Sequence, residues 1–249
     1  MPVEESGNML ILTATLAQLE GSADYAARHW SALTIWTDYL LEHGLDPEKQ
    51  FCTDDFAGQV AHNAILSVKA IMGVASFARL AGMLGKKDVA TRYMAEARRM
   101  AAVWKEMAAD GDHFKLTFDK AGTWSQKYNL VWDKLLGTEL FDPAIARTEI
   151  AYYMTRQNVY GLPLDNRKTY TKTDWVMWTA TLSESKEDFG LFIVPVYQFM
   201  DETDDRVPMP DMIFTDSKRH PGHHARSVVG GYFIKLLAEK MAGAAIDGS

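Results

Sequence analysis

The stretch "DDFAGQVAHNAILSVKAIMGVASFARLAG" (Asp54–Gly82) decides the fold, because after its first turn it is apolar or small on nearly every face. A helix without a polar face is buried on most sides. We therefore predict a buried helix near residues 55–83, which the two adjacent aspartates open. The same helix contains polar side chains that need partners in the protein interior: His62, Asn63 and Lys69.

The next stretch, "KKDVATRYMAEARRMAAVWKEMAADG" (Lys86–Gly111), has the opposite pattern. Its apolar residues recur every three or four positions, and Lys, Arg and Glu occupy the other faces, which predicts an amphipathic helix. Buried and amphipathic segments alternate in this way along the chain, and we count about nine helices. The buried helices are predicted near residues 4–19, 55–83, 124–136, 173–182 and 225–242. The amphipathic helices are predicted near residues 22–43, 87–109, 143–157 and 186–201.

Alternation of this kind is typical of helical hairpins arranged in a ring, with one helix of each pair inside and the other outside. The predicted fold class is all-α, an (α/α)6-type six-hairpin toroid. It is expected to be incomplete, because a full ring needs about twelve helices and about nine are predicted. A competing coiled-coil bundle would need heptad repeats, and these are absent. No linker rich in Pro, Gly or Ser interrupts the chain, so we predict a single domain over residues 1–249.

Composition limits the partners and cofactors. Lys and Arg number 26 against 33 Asp and Glu, which gives a net charge of −7 and argues against nucleic-acid binding. The longest apolar runs fall short of the roughly 18–20 residues of a membrane span, so no membrane partner is expected. The single cysteine, Cys52, excludes an internal disulfide and a multi-cysteine metal site. No metal-binding or nucleotide-binding motif is present, so neither a metal nor a cofactor is expected, and the acidic start "MPVEESGN" does not resemble a signal peptide.

Polar and aromatic residues collect at the starts of the predicted inner helices, in "PVEESGN", "CTDDFAG", "AGTWSQKYN", "YTKTDWVMW" and "RHPGHHARS". If these starts share one rim, they form a cleft with acid/base capacity. The candidate catalytic carboxylates are Glu5, Asp54, Asp55 and Asp174. The candidate substrate-binding residues are His62, Asn63, Trp124, Gln126, Lys127, Asp165, Arg167, Trp175 and Arg226.

Each of these residues also has a structural interpretation. Acids in a first helical turn cap the helix or interact with its dipole. Asn63 on a buried helix is often a satisfied core polar residue, and Gln126 fits a capping box. Lys69 needs a buried anionic partner, and Glu4 or Glu5 on the neighbouring inner helix would supply one.

Five segments resemble, in the same order, the six-hairpin domain of the glutaminase A family. They are "MPVEESGNML", "CTDDFAGQVAHNAILSVKAIMG", "GTWSQKYNLVWDKLLG", "YGLPLDNRKTYTKTDWVMWTA" and "ARSVVGGYFIKLL". The resemblance covers nearly the whole chain and implies an (α/α)6 toroid that follows β-rich domains. It also implies hydrolysis of the glutamine side-chain amide to glutamate and ammonia. The family is typically secreted or periplasmic, whereas the location of this chain stays open.

Two departures from the family pattern affect these implications. Ile65 stands where the family usually reads "AHNANLS", with Asn, so a polar contact is lost if that amide lines the site. The motif "MPVEESGN" is internal in the family. We therefore expect this chain to lack the first toroid helices and the preceding domains.

The sequence leaves three functions open. In an amidase, a carboxylate activates water as general base, a second group protonates the departing ammonia, and Arg226 or Lys127 holds the substrate carboxylate. In a glycosidase, two acids flank the glycosidic bond and Trp124 and Trp175 stack on the sugar. A toroid that lacks part of its ring would instead be an inactive scaffold.

The expected partners follow from these alternatives. One is a small-molecule substrate, glutamine or a sugar. The other is a second copy of the chain in a homodimer, or the missing N-terminal domains, covering the apolar flanks of the first and last inner helices. These flanks are expected around Met9, Ile11, Leu12, Val229, Phe233 and Leu236.

Overall fold

The chain is all-α in the computed structural model, which describes residues 1–247. Ten α-helices lie in that range: α1 (Pro2–Glu20), α2 (Asp24–Arg28), α3 (Trp30–His43), α4 (Ala64–Met83), α5 (Lys87–Ala108), α6 (Val131–Leu136), α7 (Pro143–Met154), α8 (Thr173–Thr181), α9 (Lys186–Glu202) and α10 (Ile234–Asp247). Two small sheets pair β1 (Ala109–Asp110) with β2 (His113–Phe114) and β3 (Tyr170–Lys172) with β4 (Met212–Phe214). The predicted all-α class is confirmed.

The described residues pack as two compact units. Unit 1 contains Met1–Ala109, Lys115–Ala121 and Leu136–Phe141. Unit 2 contains Asp110–Phe114, Gly122–Leu135 and the described chain from Asp142 onwards. Helices α1 to α5 therefore belong to unit 1 and α7 to α10 to unit 2. The single domain over residues 1–249 stays a prediction.

Helix α4 is the core of unit 1. Nearly all of its residues are buried, because α1, α3 and α5 pack against it. Two glycines permit the closest approach, since a Cβ at Gly73 would lie 3.1 Å from the Cα of Gly7 on α1 and 2.7 Å from Cδ1 of Leu40 on α3. By length and composition α4 is apolar enough to cross a membrane, but 94% of the 18-residue segment that meets this criterion is buried inside the protein. Packing within unit 1 thus accounts for its apolar composition.

Helix α5 is amphipathic, as its sequence predicts. Its buried residues are Tyr93, Ala97, Met100, Ala101, Trp104 and Ala108. Trp104 is fully buried, and its indole Nε1–H donates a 2.8 Å hydrogen bond to the carbonyl of Ala64, the first residue of α4. The predicted alternation of a buried and an amphipathic helix is confirmed for α4 and α5.

The start of α4 differs from the prediction. Asp55–Ala57 forms a separate 3-10 turn, and Gly58 and His62 then adopt positive φ values of 110° and 59°. Asn63 ends this irregular segment. Its side chain accepts hydrogen bonds of 3.0 and 3.2 Å from the backbone N–H groups two and three residues later, so Asn63 is the N-cap of α4. The prediction that Asp54 and its neighbour open this helix is wrong.

Three other predicted helices are divided or delayed. The segment 22–43 forms α2 and α3 rather than one helix. Residues 123–127 are not helical, and a 3-10 turn at Tyr128–Leu130 precedes α6. The segment predicted at 225–242 begins as the 3-10 helix Ser227–Phe233, and α10 starts only after it.

Helices α7 and α9 begin at residues 143 and 186, where the sequence predicts their starts, and each has a side-chain N-cap. The Asp142 carboxylate accepts a 2.9 Å hydrogen bond from the backbone N–H of Ala144, with Pro143 at the first helical position. The Ser185 hydroxyl accepts a 2.9 Å hydrogen bond from the backbone N–H of Asp188. These side-chain caps stabilise the starts of the two helices.

Large apolar side chains are exposed on α1 and near α10. Leu12 is 61% exposed and Phe233 is 64% exposed, as the expected apolar flanks require, whereas Ile11 is buried. Since Leu236 on α10 is also 59% exposed, the prediction that residues 225–242 are buried on most sides is wrong.

Candidate active site

In unit 1, Glu4 and Lys69 form a buried ion pair between α1 and α4. The Lys69 ammonium donates a 2.8 Å hydrogen bond to Glu4 Oε1, and both the hydroxyl and the backbone N–H of Thr53 donate to the same carboxylate. Burial alone would raise the pKa of Glu4, but the charge and hydrogen bond of Lys69 and the bonds from Thr53 outweigh it and lower that pKa. Of the two predicted partners for Lys69, Glu4 is the one that pairs with it.

The other candidate carboxylates of unit 1 have different surroundings. Asp54 is buried and Asp55 is half-buried in the 3-10 turn before Gly58. Glu5 is exposed in the first turn of α1, where it accepts a 3.4 Å hydrogen bond from Asn8. Catalytic roles for these three acids stay predictions.

His62 lies at the surface of unit 1, whereas the nearby Asn63 and Cys52 are buried and unsuited to catalysis. Its Nδ1 lies 2.7 Å from Asp46 Oδ1, and this hydrogen bond and the Asp46 charge raise the pKa of the imidazole. Asn63 is 1% exposed and occupied in capping α4. Burial raises the pKa of the Cys52 thiol to about 12, so this cysteine is a thiol rather than a nucleophilic thiolate at neutral pH.

In unit 2, Lys127 belongs to a fully buried network. Its ammonium donates to the carbonyls of Phe114 and Ser125 at 3.0 and 2.9 Å, and to the Ser125 hydroxyl at 3.1 Å. Glu149 Oε2 lies 3.6 Å from the same ammonium, and the Tyr153 hydroxyl donates to this carboxylate. An ammonium has three N–H donors, and protein acceptors surround these, so the network favours a structural role for Lys127.

Gln126 is equally well satisfied. Its Nε2 donates to the carbonyls of Leu162 and Pro163 at 3.2 and 3.0 Å and to the Thr171 hydroxyl at 3.0 Å. Its Oε1 accepts a 2.9 Å hydrogen bond from the Thr179 hydroxyl. These bonds tie the non-helical segment before α6 to β3 and α8.

The predicted aromatic and loop residues of unit 2 also contact protein groups. Trp175 is 6% exposed and stacks on Tyr128 with ring centroids 4.5 Å apart, and Trp124 is 7% exposed. Asp165 forms a two-pronged ion pair with the Arg167 guanidinium, whose nearest nitrogen lies 2.6 Å from Asp165 Oδ2. This pair holds the loop between α7 and β3.

Asp174, in the first turn of α8, differs from these satisfied groups. It is 4% exposed, and burial raises the pKa of its carboxyl to about 6 despite the nearby Lys172 charge and two backbone N–H groups. Its Oδ1 has no hydrogen-bond partner in the part of the chain that the structure describes. A carboxyl group that titrates near neutral pH and has an unpaired oxygen is suited to proton transfer.

Charged groups of both signs lie near Asp174. Asp211 is fully buried, and its Oδ2 accepts hydrogen bonds from Lys172 and from Arg226, the latter at 3.3 Å. The antiparallel pairing of β3 with β4, in which Lys172 opposes Met212, brings Lys172 and Asp211 together from 39 residues apart. Sequence reasoning identified Arg226 but neither Lys172 nor Asp211. The one sequence signal for Lys172 is its position two residues before Asp174.

The 3-10 segment Ser227–Phe233 packs on α8 beside Asp174. A Cβ at Gly231 would lie 2.9 Å from Trp178 Nε1 and 3.0 Å from Asp174 Cβ. Trp178 Nε1 and the Tyr232 hydroxyl are buried, and Trp178 Nε1 has no hydrogen-bond partner among residues 1–247. Sequence reasoning singled out neither Trp178, which follows Trp175 at helical spacing, nor Tyr232.

The structure thus places Asp174, Trp175 and Arg226 in one region of unit 2, while Glu5, Asp54, Asp55, His62 and Asn63 lie in unit 1. Convergence of acids from both units on one cleft stays a prediction. Within the described residues, no group of three or more His, Cys, Asp or Glu side chains has the arrangement of a metal site.

Comparison with known proteins agrees with the motifs quoted above. The family described as the glutaminase A six helical-hairpin domain matches residues 1–236. The chain is 34% identical over 245 residues to a protein named Glutaminase A from Aspergillus oryzae, covering 95% of this chain and 35% of that protein. It is 31% identical over 246 residues to a protein from Arthroderma benhamiae whose name describes it as a probable glutaminase, covering 86% of this chain and 28% of the relative. The chain therefore spans about a third of the length of these relatives. It belongs to the glutaminase A six helical-hairpin domain family.

Proposed function

We propose that this chain carries the amide-hydrolysing site of a glutaminase-like enzyme, with Asp174 as the group that accepts and returns the proton. The proposed reaction is hydrolysis of the glutamine side-chain amide to glutamate and ammonia. Family membership and the names of the two relatives support this substrate.

The observation that carries the proposal is the state of Asp174. Its raised pKa, about 6, keeps both protonation states accessible near neutral pH, and its Oδ1 is unpaired. By contrast, the buried carboxylate of Glu149 is occupied by Tyr153 and by the backbone N–H of Phe114. A general base must reach its proton directly or through one water, and Asp174 has an oxygen available for this.

The proposed hydrolysis needs one proton-transfer group, and Asp174 serves as both base and acid. The ionised carboxylate takes a proton from water as the water oxygen bonds to the amide carbon. The protonated carboxyl then gives that proton to the amide nitrogen as the C–N bond breaks. Ammonia and the new carboxylic acid leave, and the Asp174 carboxylate is restored.

Arg226 is the residue we propose to hold the substrate's α-carboxylate. One guanidinium nitrogen bonds to Asp211, but the side chain is 42% exposed, so other N–H groups face outward. Lys172 and Arg226 together place two positive charges on the single carboxylate of Asp211. The guanidinium N–H groups of Arg226 that Asp211 does not occupy can pair with a substrate carboxylate.

The other predicted roles receive less support. A glycosidase would use Trp124 and Trp175 as sugar platforms, but both rings are buried against protein groups. Lys127 would hold a substrate carboxylate only if it left its buried network. Glu5, Asp54 and Asp55 remain alternative catalytic acids that the test below separates from Asp174.

The test measures ammonia release from L-glutamine by the purified chain between pH 5 and 9. For the wild type, kcat/KM should rise with pH through about 6, because the base form of Asp174 is required. Asp174→Asn should lose about 10²–10⁴-fold in kcat and lack this rise. Asp188→Asn, a half-exposed acid in the first turn of α9, is the matched control and should keep full activity.

Two results would overturn the proposal. One is wild-type activity that Asp174→Asn leaves intact, which would assign the chemistry to another acid. The other is failure of the folded chain to release ammonia from glutamine at any pH tested, which would favour the scaffold interpretation.

A further inference from the structure

Two residues that border Gly231 each carry an unpaired polar atom, and the two atoms are of opposite type. Trp178 Nε1 is a buried donor, and Asp174 Oδ1 is a buried acceptor. Both groups flank the same point next to Gly231, where a Cβ would lie 2.9 Å from Nε1 and 3.0 Å from Asp174 Cβ. A buried polar atom without a partner costs about 1–3 kcal/mol, so natural proteins contain few of them. Two in one place indicate that something other than this chain satisfies them.

We propose that Trp178 and Asp174 form a recognition pair for a primary carboxamide, with the indole N–H donating to the carbonyl oxygen and Asp174 Oδ1 accepting an amide N–H. This inference rests on the proposed function, because it assigns the substrate's reacting group to named atoms. It also gives Trp178 a role that the mechanism above does not require. A carboxylate oxygen has two lone pairs, so Oδ1 can accept the amide N–H and also face the attacking water.

A primary carboxamide is the small group that this pair fits best. It presents one acceptor and two donors in a single plane, whereas a carboxylate has no N–H and would face the ionised Asp174 with a like charge. The buried carboxylate of Asp211 adds to that repulsion, because it lies close enough to Asp174 to interact with it. Sites that hydrogen-bond a substrate N–H reject analogues that lack it. Glutamine should therefore bind and the product glutamate should leave.

The 3-10 segment Ser227–Phe233 covers the pair and has to shift for a substrate to enter. The segment packs on α8, but none of its residues is fully buried. Its seven residues also exceed the usual three to four of a 3-10 helix, which is a geometry with poorer hydrogen bonds. Gly230 and Gly231 lie at its centre and allow it backbone freedom that other residues lack. Opening this segment is the conformational step that the pair requires.

Trp178 should matter more for turnover than for initial binding. When water attacks the amide carbon, negative charge grows on the carbonyl oxygen, and a fixed N–H donor stabilises that charge more than the neutral substrate. Loss of one such donor costs about 10²–10³-fold in kcat in well-studied hydrolases. Trp178→Phe should lower kcat by at least 10-fold, with a smaller change in KM.

The first experiment follows the indole N–H signal of Trp178 by NMR in the ¹⁵N-labelled wild-type chain, assigned through its contact with Gly231. Titration with L-glutamine at pH 7.5 should shift this signal, and titration with L-glutamate at the same concentrations should not. This measurement does not depend on turnover or on the folding of any variant.

The second experiment compares Trp178→Phe with Trp132→Phe. Trp132 packs edge-to-face on Trp178 with ring centroids 5.2 Å apart, so its replacement reports packing loss alone. Glutamine hydrolysis by the wild type without any shift of the Trp178 signal would refute the recognition pair and leave the proposed function standing. A glutamine-specific shift without ammonia release would support the pair and refute the proposed hydrolysis. Equal loss of kcat in both variants would also refute the pair.

Discussion

Replacement of Lys69 by methionine tests whether the buried pair with Glu4 stabilises unit 1 through charge. Methionine retains Cβ and Cγ, so the contact that the lysine stem makes beside Gly7 on α1 is preserved. The variant leaves the Glu4 carboxylate, which is 2% exposed, with its Thr53 hydrogen bonds but without a counter-charge. Removal of one partner of a buried ion pair typically costs about 3–5 kcal/mol.

Protonation sets how this cost depends on pH. To neutralise a carboxyl with the ordinary pKa of 4.5 costs about 3.4 kcal/mol at pH 7 and about 0.7 kcal/mol at pH 5, at 1.36 kcal/mol per pH unit. In the wild type, Lys69 and Thr53 lower the pKa of Glu4, so its contribution is present above pH 4.5 and is lost as pH falls through the lowered value. In Lys69→Met, burial should raise that pKa, and the variant should lose stability as pH rises. The destabilisation should therefore shrink by about 2–3 kcal/mol between pH 7 and pH 5.

The assay is urea unfolding followed by far-UV circular dichroism at both pH values. Lys87→Met replaces an exposed lysine of α5 and should change the free energy of unfolding by less than about 0.5 kcal/mol. The double variant Glu4→Gln with Lys69→Met should be more stable than Lys69→Met at pH 7, because no carboxyl has to be neutralised. The reasoning fails if the Lys69→Met loss is the same at both pH values, or if the double variant is no more stable than the single one.

Three further predictions concern backbone packing, capping and titration. Gly73→Ala should destabilise unit 1 by about 1–3 kcal/mol, because the new Cβ clashes with α1 and α3. Gly190→Ala in α9 is the comparison: its Cβ meets no atom within 4 Å, and it should stabilise the protein by about 0.5–1 kcal/mol. Thermal unfolding measures both changes. Asn63→Ala should cost about 0.5–2 kcal/mol through loss of the α4 cap, and an unchanged midpoint in urea would contradict the capping role. The pKa of His62, followed by NMR, should lie above its ordinary 6.5 and fall in Asp46→Asn, because the hydrogen bond to Asp46 is its main cause.

The central helices could be predicted from sequence because their pattern extends over twenty or so residues. The continuous apolar face of α4 and the single stripe of α5 admit few other interpretations. The start of α4 could not be placed in this way. A positive φ at Gly58 and at His62 interrupts the chain there, and nothing in an apolar periodicity reports a single backbone dihedral. Asn63 therefore looked like a polar residue inside a helix, although it is the cap at its end.

The candidate site was harder to predict, because partners of buried polar groups come from distant parts of the chain. Gln126 bonds to Thr171 and Thr179, and Lys172 meets Asp211 only through the β3–β4 pairing. Composition at a helix start singled out Asp174. It singled out Gln126 equally strongly, because a sequence shows which residue types are present but not whether their hydrogen-bonding groups are satisfied.

Saturation with hydrogen bonds, rather than pKa, distinguishes the buried carboxyl groups of Glu149 and Asp174. Burial raises the pKa of both Glu149 and Asp174. Glu149 nevertheless accepts hydrogen bonds from Tyr153 and the Phe114 backbone and lies beside Lys127, so its network is complete and contributes to structure. Asp174 has an oxygen without a partner among the described residues, and the indole N–H of Trp178, on the same helix, has none there either. A protein gains no stability from leaving such a pair incomplete, whereas a ligand that completes it gains affinity. This difference is the physical reason for which we propose Asp174, rather than Glu149, as the proton-transfer group.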